Sequence, residues 1–570
     1  MAVTGTNLSG PRISRRLIAT TRAHFRQEGC MSRSPLVASI LVLIVVVLIF
    51  VGAPAISQTP SSSPKSGGIL NAMQREDLPQ GFSIHETATI STVFPAAACF
   101  SNLVMYDPMK RVESIDTVVG ELAEKWSWQD NYRNLVFFLR KGVKWHDGQP
   151  FTSRDVKYTF DMVREAKDAQ GKLRLNPRKD WFANVDTIEA PDPSTVVFHL
   201  KRPQPSLLLM LASGYSPVYP AHVPAAEMRT RCVGTGPFKF KEWKRGEYVE
   251  LMKNPDYFVK GRPYLDGIRY VIIVERGTKY AALQAGRLDI SFPGEGTKTI
   301  ADQVKAAVPQ IKIETVGQTV VDNLLVNNTK PPFNNVKMRL AASLSIDRRA
   351  YVRAVHQGGA AVGASMQPKP YGVWGLMDKD LNALPGYAKP ADDKAKARKL
   401  FAEAGYGPQN PLKIEMATRN IPIYVDFASF VINELKQVGV EATLKQVDTA
   451  QWHPLATRKE YQLGANLTGI GADDPDANFY ENFACGSPRN YTGYCDEQVM
   501  KMIDQQSQET DIKKRQQMVW KIQQKLEEDG ARPSMSWRLD YVMQWPYVRN
   551  FVPHNNIYNY GRMQDVWLDK

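Results

Sequence analysis

The chain has 570 residues and a mass of 64.1 kDa, with 43% apolar and 23% charged residues, ordinary globular values that exclude a disordered or fibrous protein. Lys and Arg (72) exceed Asp and Glu (58), giving +14, but residues 1–35 alone hold six Arg against one Glu. The remaining excess is spread, with no run longer than Lys513-Lys514-Arg515, so no phosphate-tracking stripe exists and no nucleic-acid partner is expected.

Leu36 to Val51 is the single long apolar run, which excludes a polytopic membrane protein. It is shorter than the roughly 20 residues a membrane-crossing helix needs. Arg33 precedes it, and Gly52-Ala53-Pro54-Ala55 follows with an A-x-A cleavage signature. Positive, apolar, then small is the order of a secretory signal peptide, so a periplasmic location is expected. The simplest start is then Met31, with Ser32 to Pro35 as a short n-region. The alternative is an uncleaved anchor formed by residues 36–56. Gln58 to Gly68, rich in Ser and Pro, reads as a spacer, so residues 1–67 are leader, signal and spacer.

Export removes Cys30 and leaves Cys99, Cys232, Cys485 and Cys495 in an oxidising compartment. Four cysteines allow three pairings. Cys485 and Cys495 flank a Gly-Ser-Pro-Arg-Asn stretch that can turn back on itself, and a bridge there is worth roughly 3 kcal/mol in the chain-entropy model. Cys485–Cys495 is expected, with Cys99–Cys232 as the second pair.

Along the body, Trp128 to Arg140 and Thr195 to Leu200 read as sheet strands, and Asp392 to Ala404 as a helix stopped by Gly405. Lys413 to Ala417 is a predicted strand. Over Val425–Val438 the apolar positions Phe427, Phe430, Val431, Leu435 and Val438 then fall three and four apart, as on one helix face. Val440, Ala442 and Leu444 alternate again after Gly439, completing a βαβ unit with a parallel pairing. Asp511 to Glu528 is another helix, with Ile512, Val519, Ile522 and Leu526 inward. The body is predicted to be α/β with more than one mixed sheet.

Catalytic patterns are thin: no G-x-S-x-G, P-loop, H-E-x-x-H or G-x-G-x-x-G occurs, and the eight His are scattered. No enzyme activity, cofactor or metal is expected, and an exported α/β protein of this size is most economically a binding protein.

Gly142-Val143-Lys144-Trp145-His146-Asp147-Gly148-Gln149-Pro150-Phe151, then Asp155-Val156, with Leu122 to Trp126 and Phe137 to Arg140 upstream, closely resembles the signature of the family 5 extracellular solute-binding proteins. These are the dipeptide, oligopeptide and nickel receptors of bacterial ABC importers. Gly234-Thr235-Gly236-Pro237-Phe238, Asn254 to Phe258, Ala285 to Asp289, Asn327-Asn328, Pro332-Phe333, Val336 to Arg339 and Leu400 to Tyr406 extend the match over about 68–570. The resemblance implies a two-lobed periplasmic-binding-protein clamp of type II, enlarged by an extra domain. Domain I would comprise 68–105, 225–318 and 530–570, domain II 106–224, and domain III 319–529. It also implies a monomer that captures a peptide or other small organic solute and delivers it to an inner-membrane permease with a cytoplasmic ATPase. A sensory or chaperone-like clamp without transport, or an exported hydrolase, are the rival readings. His146-Asp147-Gly148 and Gly234-Thr235-Gly236 read as tight turns, not as a catalytic pair and a phosphate cradle.

The resemblance implies that relatives that bind peptides anchor the amine on an aspartate in a loop of the pattern Asp-x-x-Asp/Glu-Pro; anchoring that pattern on Asp474-Pro475 puts Gly471 where the aspartate would sit, which makes α-peptides doubtful ligands. Asp473 is a substitute if the loop shifts. The other reading of Asp473 and Asp474 is a solvated turn and helix cap. Arg419, at the carboxyl end of a predicted strand, is the candidate for an acidic group on the solute. His85 and Glu86 are candidates to face the cleft, and Tyr371, Trp374 and Trp452 to form apolar walls; ordinary core is the alternative for each.

Overall fold

A computed structural model describes residues 63–570. The expected signal peptide, the anchor alternative and residues 58–62 of the spacer lie outside the described residues. Three sheets organise the chain. In the first, Ile69–Gln74 pairs in parallel with Gly267–Ile272, which continues antiparallel to Tyr248–Lys253 and Phe238–Lys244. The second is an antiparallel sheet in the order Ala123–Gln129, Asn134–Leu139, Thr195–Leu200, Val185–Asp192. The third runs Ala360–Ala361, Ser534–Gln544, Lys312–Val326, Leu463–Gly469, Leu412–Arg419, Val440–Val447.

The βαβ unit forms as its periodicity requires. Leu412–Arg419 and Val440–Val447 pair in parallel from Leu412↔Val440 to Arg419↔Val447, and helix Pro422–Lys436 covers them with Phe427, Val431 and Leu435 inward. Helix Ile512–Glu528 begins at an Asp511 cap whose carboxylate accepts from Lys513 and Lys514 N–H groups. The stretch 128–140 is not one strand. Asp130, Asn131 and Tyr132 all take positive φ, so the chain folds back as a hairpin. Alternation alone misses such a turn because no glycine marks it.

Two separate hydrophobic cores show where the lobes divide. One gathers residues from the first two sheets, including Leu70, Phe94, Phe137, Phe198, Ile268 and Tyr558. The other holds Leu324, Val326, Met416, Phe427, Val431 and Leu463. The Lys312–Val326 strand passes between them: Val320 and Val321 belong to the first core, Leu324 and Val326 to the second. Ser534–Gln544 makes the same crossing, with Met535 in the second core and Trp537 in the first. Their mutual register shifts between Gly317 and Val321, so the ladder is interrupted at the crossing.

The family-like turns interlock at long range. Gly148 sits at φ 90, and the His146 ring accepts from the Gly234 N–H while its Nε2 lies 3.0 Å from the Gly236 carbonyl. A Cβ at Gly234 or Gly236 would fall 1.9 Å or 2.5 Å from Cys99 backbone atoms, so close packing excludes any side chain there. Next to this contact Cys99 is bonded to Cys232, and Cys485 is bonded to Cys495.

Candidate functional site

The polar groups of the two lobes meet along a seam beside the crossing strands. From the second lobe, Arg419 projects at the end of its strand. Its Nη2 donates to Glu76 Oε1 at 2.8 Å and to Thr449 Oγ1 at 2.6 Å, and its Nη1 donates to the Tyr424 hydroxyl at 2.7 Å. Glu76, just beyond the first strand of the other lobe, also accepts from the Thr449 hydroxyl at 2.6 Å. Burial pushes the Glu76 carboxyl up, but Arg419 and Arg75 outweigh it and hold the carboxyl below its ordinary value. A cavity of about 400 Å³ opens over this contact, bounded by Arg75, Glu76 and Glu295 on one side and Asn420, Asp448 and Thr449 on the other.

Deeper in the seam lies a buried polar cluster assembled from distant segments. Helix Thr449–Thr457 leads into it, because His453 is one turn from Thr449 on the same face. The His453 Nδ1 lies 2.9 Å from the Tyr491 hydroxyl, which accepts from Arg489 at 2.7 Å. Arg489 donates to Glu481 Oε1 at 2.9 Å, and Arg178 places its Nε 3.2 Å from Glu481 Oε2. The Arg178 guanidinium lies 3.7 Å from the centroid of Tyr215, which packs on Tyr558 at 4.3 Å between ring centres. Burial, reinforced by Arg419, Arg489, Arg178 and Arg75, pushes the His453 pKa well below its ordinary value, so its ring is neutral.

The residues proposed from sequence do not all come together here. Arg419 stands at the strand end where it was expected, yet its guanidinium is engaged by protein groups. Trp452 is fully buried in a small core with Leu325, Ala417 and Tyr461, and forms no wall. His85 and Glu86 do not face the seam. His85 lies 2.8 Å from the Pro217 carbonyl, and burial lowers its pKa to about 4. Glu86 is clamped by Arg229 at 2.8 and 2.6 Å and by the Arg174 N–H. Both thus tie together chain segments 88 to 143 positions apart.

Asp473, Asp474, Tyr371 and Trp374 line a different and larger cavity, of about 920 Å³, with Arg111, Glu113 and Arg515. Asp474 caps helix Pro475–Asn482 and takes two 2.7 Å bonds from Arg515, and so serves as the structural cap of the alternative reading. Asp473 remains half-buried at the rim, its pKa raised to about 7 by burial and by Asp474. We place the candidate site in the seam, where Arg419 and Thr449 of one lobe meet Glu76 of the other over the 400 Å³ cavity; the larger cavity, lined by Thr315 to Gly317 of the crossing strand, also joins distant segments through Glu113 and Asp473.

At Gly471 a Cβ would lie 2.4 Å from the Trp181 ring, and the Trp181 indole donates to the Ala477 carbonyl at 3.0 Å. The place where the resemblance puts an amine-binding aspartate is therefore filled by an indole. Sequence reasoning missed Glu76, Arg178, Tyr215, Glu481, Arg489 and Tyr558. Glu76 follows the Ile69–Gln74 strand, an element the sequence patterns do not mark, and the others lie in no motif.

The family model described as bacterial extracellular solute-binding proteins, family 5, matches residues 117–490. A putative ABC transporter peptide-binding protein of Brucella abortus is 29% identical over 374 residues, 63% of this chain and 65% of that protein, so the matched stretch spans just under two thirds of its length. Among solved structures, the periplasmic binding protein DppA of Helicobacter pylori with the peptide STSA superposes with a TM-score of 0.78 at 21% identity, over 89% of this chain and 99% of that one. AgaA of A. tumefaciens R10 with agropinic acid gives 0.75 at 22%, over 88% and 99%. The fold is thus the two-lobed periplasmic-binding-protein clamp. The match over most of the chain, on that clamp, means that the chain belongs to the bacterial extracellular solute-binding proteins of family 5, proteins that bind rather than transform their solutes.

Proposed function

We propose that this chain is the periplasmic receptor of an ABC importer, closing its lobes on a small organic solute and delivering it unchanged to an inner-membrane permease powered by a cytoplasmic ATPase. The names of relatives support the transporter assignment. The observation that carries the reading is the ionic seam itself: Glu76 of one lobe meets Arg419 and Thr449 of the other, beside the two strands that cross between cores. Contacts to both lobes exist only when they are together, so a solute bound there shifts the population toward closure. A micromolar solute supplies about −8 kcal/mol, enough to drive closure and still permit release.

On this reading domain I comprises 68–105, 225–318 and 530–570, domain II 106–224 and domain III 319–529; residues 1–67 direct export, and the receptor works as a monomer. Small-angle scattering of purified protein tests it. Addition of a solute that raises the melting temperature contracts the radius of gyration, and a rigid body with no contraction for any stabilising solute refutes it.

A further inference from the structure

Glu76 and Glu481 are the carboxylates bonded within the seam, and each is already claimed by two guanidinium groups. Glu76 takes Arg419 at 2.8 Å and Arg75 at 3.6 Å. Glu481 takes Arg489 at 2.9 Å and Arg178 at 3.2 Å. Arg532 adds a further buried cation: burial and the field of Arg489 lower its pKa to about 10, and it remains charged. Glu295, which also acts on Arg75, is paired with Lys279 at 2.5 Å. The seam therefore buries more positive than negative charge, an arrangement that costs several kcal/mol unless a counter-charge is supplied.

Arg178 shows where that charge is needed. It is 1% exposed, and while Nε faces Glu481 Oε2 at 3.2 Å, Nη1 and Nη2 have no hydrogen-bond partner among the described residues. Its flat face rests on Tyr215 and its edge approaches Trp181, with the ring centre 5.3 Å away. The neighbouring His453 Nε2 is buried and also unpartnered among the described residues, and the Tyr215 hydroxyl is shared with Tyr558. A planar fork of unused donors beside neutral hydroxyl and imidazole groups is the complement of a carboxylate.

Resting on the receptor reading above, we propose that the seam takes an acidic organic solute that lacks an ammonium group, with Arg178 as the anchor of one of its carboxylates. An ammonium would meet the surplus of guanidinium groups around Glu76 and Glu481, and the indole of Trp181 covers Gly471. The anion enters when the lobes part, through the opening bounded by Arg75, Glu76 and Thr449. It exchanges hydrogen bonds with water for the unused donors of Arg178. Closure then removes it from water, where charge-assisted bonds are strongest.

The test is equilibrium dialysis of the full chain against two mixtures, followed by mass spectrometry of what the protein retains. One holds citrate, 2-oxoglutarate, glucarate and galacturonate; the other holds tri-alanine, tetra-alanine and lysyl-alanyl-alanine. Retention from the acid mixture is expected. R178M is expected to weaken it by about tenfold or more, the worth of one charge-assisted bond. R178K, which keeps the charge but loses the fork, is expected to fall between, and serves if R178M does not fold. Retention of peptides with the acids excluded overturns the inference and leaves the receptor reading standing. Retention from neither mixture overturns both. Full affinity in R178M and R178K overturns the role of Arg178.

Discussion

Glu76→Gln removes the one anion that ties the lobes together through Arg419. Two bonds cross the seam to this carboxylate, from Arg419 at 2.8 Å and from Thr449 at 2.6 Å. A hydrogen bond to a charged group contributes about 1.5–3 kcal/mol. The Glu76 side chain keeps 16% exposure while Arg419 keeps 3%, so solvent screens part of the interaction and we take about 2 kcal/mol. That corresponds to a shift of about 30-fold from closed to open forms. Spin labels at the exposed Gln303 and Lys436, one on each lobe, report the shift as a longer mean distance in pulsed electron resonance. A cycle with Arg419→Met isolates the pair: the double variant is expected to open little more than either single one. The sign with pH follows from the depressed carboxyl. Its contribution is complete above the ordinary glutamate value and is lost as pH falls through the lower folded value. Distance distributions that coincide for wild type and Glu76→Gln would refute the argument.

The remaining predictions concern stability and packing. Gly471→Ala places a Cβ 2.4 Å from Trp181 and is expected to destabilise the fold by about 1–3 kcal/mol in urea titration, with Trp181→Leu restoring part of the loss; an unchanged midpoint contradicts the close packing. Cys99 and Cys232 are 133 positions apart, Cys485 and Cys495 only 10. Loop-closure entropy therefore predicts that replacing the first pair by alanine costs about 2 kcal/mol more than replacing the second, and equal losses would contradict it. Burial, partly offset by Arg348 and by bonds from Tyr387 and Ser534, raises the Glu527 carboxyl to about 7. The folded state then holds a proton that the unfolded state releases, so stability falls as pH rises from the ordinary glutamate value toward 7. Glu527→Gln is expected to flatten that part of the stability profile, and an unaltered slope would assign it to other groups.

Features that depend on near neighbours are legible in the order of residues. Apolar spacing along 412–447 specified strand, helix and parallel strand, because each period commits one face to burial. Asp511 and the apolar positions after it specified the last long helix in the same way. Residue order also placed Arg419 at a strand end, since the end of a strand is a local property. Turn-rich motifs such as His146-Asp147-Gly148 were readable as turns, but not as the partners of Gly234 and Gly236 that they prove to be. Only the tertiary structure decided the chemistry of the seam. Arg178, Tyr215, Glu481, Arg489 and Tyr558 come from four chain segments spread between positions 178 and 558 and share no periodicity. What joins them is the meeting of two cores along strands that cross between lobes. The same meeting turned His85 and Glu86 into anchors, and gave Asp474 to Arg515. Burial and charge balance are properties of the packed volume, and no stretch of chain short enough to show a pattern contains them.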